Sequence, residues 1–439
     1  MRLELGTFFV KDIVFSEKTK WEGGVLSIDP KELQVLLNED RKFEDVEVHL
    51  VRPGERTRIV HILDIVEPRI KVSGGSCVFP GLIGPPHSVG AGRTHRLAGV
   101  AVVETAEPIV GESTYWREAI VDMSGSAARY SCFSKNINLV LNFKPKKELL
   151  QRKTREEEVK DVLRGTPEAI EYNASIRLVG FKVASYLAEA AQNQEPDEVE
   201  TYELTSVPPS LPKVIYFCQE SWAYIYGDSP VRYKEFMPGL MATLIHPSEF
   251  MDGAVANSRT NLASNRNVTY VLQNHPVVKE LYHRHGKDLN FAGIVIYRVG
   301  GTKMEEKERV TSYAAKLGQL LGAQGAILTW GGGGHFAVDL MLLCQKLERM
   351  GIASVIISPE MAKNVDESGF VDYVPEANAI VSVGNYEEEI HLPAMQKVVG
   401  GSKILETHYD AGGELIVPLR NICGATNRVG FERLTAVQY

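Results

Sequence analysis

Cysteine is scarce and scattered in this chain. Its 439 residues hold five, at Cys77, Cys132, Cys218, Cys344 and Cys423, and no two form a CxxC pair. That spacing excludes a disulfide framework and a cysteine-built zinc site, leaving buried free thiols as the simplest reading of each. Long hydrophobic runs are also missing. None approaches the roughly 20 residues that span a bilayer, and Met1-Arg2-Leu3-Glu4 begins no signal peptide, so a cytoplasmic protein is expected. Basic charge is in deficit, with 48 Lys and Arg against 56 Asp and Glu and a net charge of -8. Phosphate binding needs clustered cations, so nucleic acid is not expected as the main partner.

What the chain does have is ordinary globular composition, 44% apolar and 24% charged, at a length that suits two or three domains. Residues 1–145 read as a β-rich domain: short apolar segments such as GTFFVKDIVF, VEVHLV, RIVHILDIV and LAGVAVVET are divided by Gly, Pro and Asp turns. Acids and bases alternate through them, which predicts strands with one wet face. Residues 146–212 read as a helical connector and linker, with a charged run over 144–161 as a solvated face and helical spacing over 176–192. Over 213–439 the texture is α/β. KVIYFCQ, FAGIVIYRV, GAILTW, ASVIIS and AIVSVG are buried-type strands, the first four separated by long stretches that include helical patterns, as in a parallel sheet. The fold expected is therefore α/β (α+β overall), a β-rich N-terminal domain followed by parallel-sheet α/β lobes. In such sheets ligands bind beyond the carboxyl ends of the strands.

Within this region the stretch 244–290 carries four of the eleven histidines (His246, His275, His283, His285) and a polar run, ANSRTNLASNRN, with too few apolar residues to pack. Such a run is a mobile excursion or a functional site. Gly331 to His335 leaves a strand and enters a helix, so that Gly332 and Gly333 let backbone amides approach an anion such as a substrate carboxylate, with a plain turn as the alternative. The spacing is neither GxGxxG nor GxxxxGK. His283 and His285 lack the pattern of metal ligands, and no metal is expected. VVKELYHRHG instead reads as a helix end with Gly286 as a left-handed cap. On the glycine-rich loops of the N-terminal domain, Arg93 could clamp a carboxylate and His95 could act as acid or base, with an Arg–Asp structural pair involving Asp122 as the alternative. Cys423, near Arg420 and Arg428, could be a nucleophile, although a small buried thiol is the better reading.

Several longer segments carry a resemblance: MRLELG, RPGERTRI, GAGRTHRLAG, VDMSGS, HPSEFMDGA, NHPVVKELYHRHGKDLNFAGI and LTAVQY. Over nearly its full length the chain resembles the proprotein of component B, α and β subunits, of glycine/sarcosine/betaine reductase. The resemblance implies an oxidoreductase subunit that binds a small amine or amino-acid-like substrate. It also implies a hetero-oligomer with a thiol- or selenol-bearing partner that attacks the activated carbon. In that family a cysteine after MDGA cleaves the chain, and the new N-terminus becomes a pyruvoyl group. Here the matching position is Thr260, preceded by Arg259, and Ser264 stands where a second cysteine tends to sit. No cysteine remains between Cys218 and Cys344. Threonine would give a 2-oxobutanoyl end and Ser264 a pyruvoyl group, by acyl shift and elimination. The simplest reading is that neither reacts, that the chain stays whole and that no cofactor is certain. Thr260 and Ser264 are thus the catalytic candidates by position, and Arg93, His95, His246, Gly332 and Gly333 the substrate-binding ones. Two alternatives are an unprocessed relative acting through Cys423 or Cys132, and a non-catalytic subunit that only presents substrate.

Overall fold

A computed structural model describes residues 1–39, 42–110, 112, 117–150, 167–220, 231–232, 235–236, 241–257, 267–301, 303–331, 334–361, 372–425 and 428–431. The fold is α/β with several mixed sheets. In the N-terminal half the strands used below are β1 (Arg2–Phe9), β2 (Phe43–Val51), β3 (Thr57–Ile59), β4 (Ile62–Val66), β5 (Arg69–Lys71), β6 (Gly92–Ala98), β7 (Val100–Ala106), β8 (Val121–Asp122), β9 (Ile137–Pro145) and β10 (Glu198–Glu203). Two four-stranded sheets form from them, ordered β10-β1-β6-β5 and β2-β9-β7-β4. Helix α1 (Pro30–Leu37) begins where Asp29 accepts from Lys31 N and Pro30 presets the first turn. Helix α2 (Pro167–Glu189) packs on both sheets through Ile176, Val179, Val183 and Leu187, against Phe8, Leu97, Val102 and Leu141. Its Gly180 is required by packing: a Cβ there would lie 1.8 Å from Glu104 Oε1.

The expected wet face holds in part for β2, where Glu44 and Asp45 are exposed, and is a correction for β4, β5 and β7. Asp64, Glu67, Arg69, Lys71 and Glu104 are all buried, at no more than 5% exposure. Alternating charge on these strands marks internal pairing, because α2 covers one face of the sheet and the chain near 268–271 and 423 covers the other.

The second half holds β11 (Lys213–Glu220), β12 (Thr243–Ile245), β13 (Asn290–Arg298), β14 (Gly325–Thr329), β15 (Ala353–Glu360) and β16 (Ile380–Asn385), in one sheet ordered β12-β13-β11-β14-β15-β16. All neighbours are parallel except β12. Among the parallel strands the order is 2-1-3-4-5, a doubly wound sheet whose direction of winding reverses between β11 and β14. Strands β11, β13, β14 and β15 are largely buried, as their continuous apolar runs predict, whereas the expectation of a buried strand over AIVSVG is corrected: β16 is an edge strand whose Ile380, Val381 and Ser382 are exposed. Ile215 and Phe217 enter one core with helices spanning 304–320 and 335–349, whereas Tyr216 and Cys218 enter another with Phe250, Met251, Val278 and Leu281. Among the described residues no helix is long and apolar enough to cross a membrane.

The C-terminal strand β17 (Lys397–Val399) returns to pair in parallel with β3, which also pairs with β8. Glu118 ties this return together, accepting from His61 N at 3.1 Å and Leu405 N at 2.7 Å. Burial pushes its carboxyl up to about 7, against an ordinary value of 4.5. The native state therefore keeps a proton that the unfolded chain releases between these values, and its stability falls as pH rises through that window. Glu118→Gln is expected to flatten the pH dependence of the urea midpoint between pH 4.5 and 7. An unchanged slope would contradict the assignment.

Candidate functional site

The polar run of the sequence enters through Asn257 and leaves through Asn267; Thr260 and Ser264 lie outside the described residues, as do Gly332 and Gly333. Both flanks of the run are described, and four charged side chains from β4, β5 and their connection grip them.

Upstream, His246 opens a short turn: its Nδ1 lies 2.7 Å from Ser248 Oγ and Glu249 returns to accept from His246 N at 2.9 Å. This is a capping box, so His246, a candidate for substrate contact, is engaged in local structure. The next turn, Phe250–Ala254, kinks at Gly253 with φ of 87°. A Cβ on Gly253 would stand 1.9 Å from the Val78 carbonyl oxygen. Both strain and clash follow from any side chain there, so Gly253→Ala is expected to lose at least about 1–3 kcal/mol from backbone strain alone. Thermal melting would show it; an unchanged Tm would contradict this local geometry.

Asp252, in that turn, is fully buried and receives Lys71 Nζ in an ion pair, Gly90 N at 2.7 Å and Thr94 Oγ1 at 2.5 Å. Lys71 also donates to the Ala91 carbonyl at 2.7 Å and Thr94 Oγ1 at 3.1 Å. Two of the long sequence motifs, GAGRTHRLAG and HPSEFMDGA, thus interlock through one carboxylate. Gly90 allows this, since a Cβ on it would stand 2.6 Å from Glu249 N.

Arg69 reaches both flanks at once. Its guanidinium donates to Met251 O at 2.7 Å upstream, and to Gln273 O at 3.0 Å and Asn274 Oδ1 at 3.1 Å downstream. Glu67 pairs with it at 2.6 Å, fully desolvated. Burial would raise the Glu67 carboxyl, but Arg69, Arg96 and Lys279 outweigh it and hold it below its ordinary value. The Gln273 amide pairs with the Glu67 backbone in both directions, at 3.0 and 3.1 Å. Asp64 accepts from Thr269 N at 2.8 Å and Thr269 Oγ1 at 2.6 Å, and Thr269 Oγ1 in turn accepts from Asn257 N at 3.0 Å. Asp64 thus fixes Thr269, just after the polar run, and Thr269 holds Asn257 at its start. Burial pushes Asp64 up to about 6, the Thr269 bonds opposing. Opposite it on β7, Glu104 is raised well above its ordinary value, first by burial and then by Asp64, and neither of its oxygens has a hydrogen-bond partner among the described residues.

The downstream flank then continues into the helix Pro276–Arg284, with Pro276 at its first turn and Gly286 at φ 80° beyond its end, as the sequence predicts. His283 is exposed on it, and His285 is used for structure, its Nε2 donating to Thr205 O (3.0 Å) and its Nδ1 accepting from Phe291 N (3.1 Å). His275 is fully buried, 3.0 Å from Tyr216 Oη, with burial lowering its ring to about 3.

The other candidates fall outside this cradle. Arg93 pairs with Glu4 at 2.7 Å beside an open pocket of about 420 Å³. His95 is buried against Phe8 with Nδ1 3.0 Å from Ala191 O. Asp122 forms a buried pair with Arg58 at 2.6 Å. Cys132 and Cys423 lie in one buried cluster, and burial raises the Cys423 thiol well above its ordinary value, the opposite of nucleophile activation. Gly331 N donates to Gln219 Oε1 at 2.7 Å and Gln219 Nε2 donates to Phe336 O at 3.1 Å. The side chain of Gln219 thus holds Gly331 and Phe336, on either side of the glycine-rich run, at the winding reversal between β11 and β14. Sequence reading missed Asp64, Glu67, Arg69 and Lys71. The available signal was four charges inside an apolar run, ILDIVEPRIK.

A doubly wound sheet joined to a β scaffold, with buried charges gripping both flanks of an internal polar run, is the architecture of this chain. The comparisons give that architecture its family. The profile of glycine/sarcosine/betaine reductase component B subunits matches residues 1–437. The chain is 36% identical to "Glycine reductase complex component B subunits alpha and beta" of Acetoanaerobium sticklandii and 38% identical to the protein of the same description from Peptoclostridium acidaminophilum, each over 100% of both chains. It is 36% identical, again over 100% of both, to "Sarcosine reductase complex component B subunit alpha" of Peptoclostridium acidaminophilum. The chain belongs to the component B family of glycine/sarcosine/betaine reductases, which are oxidoreductase complexes. No solved structure matches it.

Proposed function

We propose that this chain is the substrate-binding component-B-like subunit of a reductase complex, presenting a small amine or amino-acid-like substrate for reductive C–N cleavage by a thiol or selenol partner. The observation that carries this reading is the two-sided cradle: Lys71 and Arg69 fix the HPSEFMDGA flank while Arg69 and Asp64 fix the downstream one. Four buried charges devoted to the ends of one polar run are costly unless the run between them has a defined task. The cysteine from which the family forms its pyruvoyl group has no counterpart here, because no cysteine occurs from 219 to 343. In this reading the chain remains uncleaved, and Thr260 and Ser264 serve as hydroxyl contacts rather than as nucleophiles. The substrate crevice is assigned to the carboxyl ends of β11 and β14, beside the glycine-rich turn that contains Gly332 and Gly333. Residues 1–145 then serve as scaffold, 146–212 as connector and 213–439 as the substrate-binding region, in a cytoplasmic hetero-oligomer.

The reading is tested by titrating the purified chain with glycine, sarcosine and betaine in a calorimeter, then adding a thiol- or selenol-bearing reductase subunit. Saturable binding of one amine, with amine release only when the partner is added, is expected. Amine release by the chain alone, or no binding of any of the three, would count against it.

A further inference from the structure

Two carboxyl groups stand side by side in the N-terminal core, and no ion pair holds either among the described residues. Asp64 on β4 and Glu104 on β7 are directly opposite in antiparallel register. That sets their Cβ atoms about 4.5–5.5 Å apart on one face of the sheet. Both are buried, at 2% and 0% exposure. Their surroundings differ. Asp64 accepts from Ile65 N at 2.9 Å, Thr269 N at 2.8 Å and Thr269 Oγ1 at 2.6 Å. Glu104 accepts from nothing, and the bare backbone of α2 at Gly180 packs against its carboxyl. The charged and titratable groups that bear on the pair are few. From α2, the charge of Arg177 favours ionisation of both. Near Asp64, Cys423 presents a thiol that burial keeps protonated.

Adjacent carboxylates removed from water repel, and the one without donors is the one that keeps a proton. At neutral pH the pair is therefore an Asp64 carboxylate beside a protonated Glu104. Burial is the largest cause for each, raising Asp64 to about 6 and Glu104 well above its ordinary value. The pair also sits at a junction. Thr269 Oγ1, bonded to Asp64, receives Asn257 N at 3.0 Å. Release of Thr269 from Asp64 would loosen a contact on each side of the polar run.

We propose that Asp64 and Glu104 form a proton-held latch on the flanks of the polar run, closed while the pair keeps a proton and opened by its loss. The proposal is independent of the reading of the chain as an amine-binding reductase subunit. In the open form Thr269 leaves Asp64, water enters, and both carboxyls ionise near their ordinary values of 3.8 and 4.5. Closing therefore takes up protons. A carboxyl whose value is raised in the closed form favours closure at low pH, and that contribution is lost as pH rises through the raised value. Above about 6, Asp64 is ionised in both forms and Glu104 alone carries the difference. The opening constant then grows about tenfold for each pH unit while Glu104 keeps its proton. Acid shuts the latch and alkali releases it.

Hydrogen exchange at the Thr269 amide reads the latch directly, because this N–H donates to Asp64. Its rate, divided by the rate of an unstructured peptide at the same pH, gives the opening constant. In the full-length protein, protection of Thr269 should fall about tenfold over the first pH unit above 6. Thr269 should also exchange more readily than the amides of the central strand β11, since the latch opens without unfolding the chain. Glu104→Gln has the shape of the protonated acid and no proton to lose, so its Thr269 protection should be level over the same range. Should that variant not fold, Glu104→Met removes the carboxyl at similar volume and should give the same level profile. Level protection in the wild type overturns the latch, as does a slope that the folded variant keeps. Thr269 protection equal to that of β11 overturns it too, because exchange would then need unfolding of the whole chain.

Discussion

Replacing Lys71 with methionine is expected to destabilise the protein by about 3–5 kcal/mol, because it removes one partner of a buried ion pair and strands the other. Methionine is close to the lysine stem in volume, so little of the loss comes from packing. Lys71 and Asp252 have fully buried side chains. Asp252 would keep Gly90 N and Thr94 Oγ1, two donors that soften the loss without neutralising a buried carboxylate. Removing the charge at both positions, in Lys71→Met with Asp252→Asn, should cost less than Lys71→Met alone, because no uncompensated charge remains. Urea unfolding of the three variants with wild type gives the comparison directly. A single variant within about 1 kcal/mol of wild type would show that this pair does not hold the flank.

The second large effect concerns connectivity. A protease site introduced within 258–266 and cut to completion should leave two pieces that elute together. They should separate only in denaturant. Residues before the cut supply β11, which lies between β13 and β14, both from after it. Residues after the cut supply β17, which pairs with β3 near the beginning of the chain. Arg69 and Asp64 hold Gln273 and Thr269 across the same divide. Central strands and buried charge pairs cross between the pieces, so the contact has the character of a divided core rather than a surface patch. Gel filtration of the cut protein at micromolar concentration tests this, and two separated peaks would refute it.

Much of the doubly wound sheet was legible in the sequence because each strand is a short, continuous apolar run next to a helical pattern. Gly286 likewise announced its helix end, having a cationic last turn before it and a left-handed φ of 80° in the structure. The cradle was not legible. Asp64, Glu67, Arg69 and Lys71 alternate like a wet strand face, and local pattern carries no information that a partner 181 or 205 residues away will bury them. Arg93, His95 and His246 drew attention as chemically versatile residues in glycine- or proline-marked loops. The structure gives each a structural partner, Glu4, Ala191 O and Ser248 respectively, the first two 89 and 96 residues away. Tyr216 and Cys218 were read only as apolar filling of KVIYFCQ, since a single strand does not reveal that Thr329 and His275 will face them. The motifs HPSEFMDGA and GAGRTHRLAG were informative as a pair, and their physical reason, a shared carboxylate at Asp252, appears only in three dimensions.

The account's central claim is that a component-B family chain lacking the processing cysteine works uncleaved on an amine. Intact-mass spectrometry of the purified protein, with and without borohydride and candidate amines, tests it most directly. The account predicts a single species of 48.7 kDa that borohydride leaves unchanged. Two fragments meeting at Arg259/Thr260 or at Ala263/Ser264, the second reducible onto an amine, would contradict it.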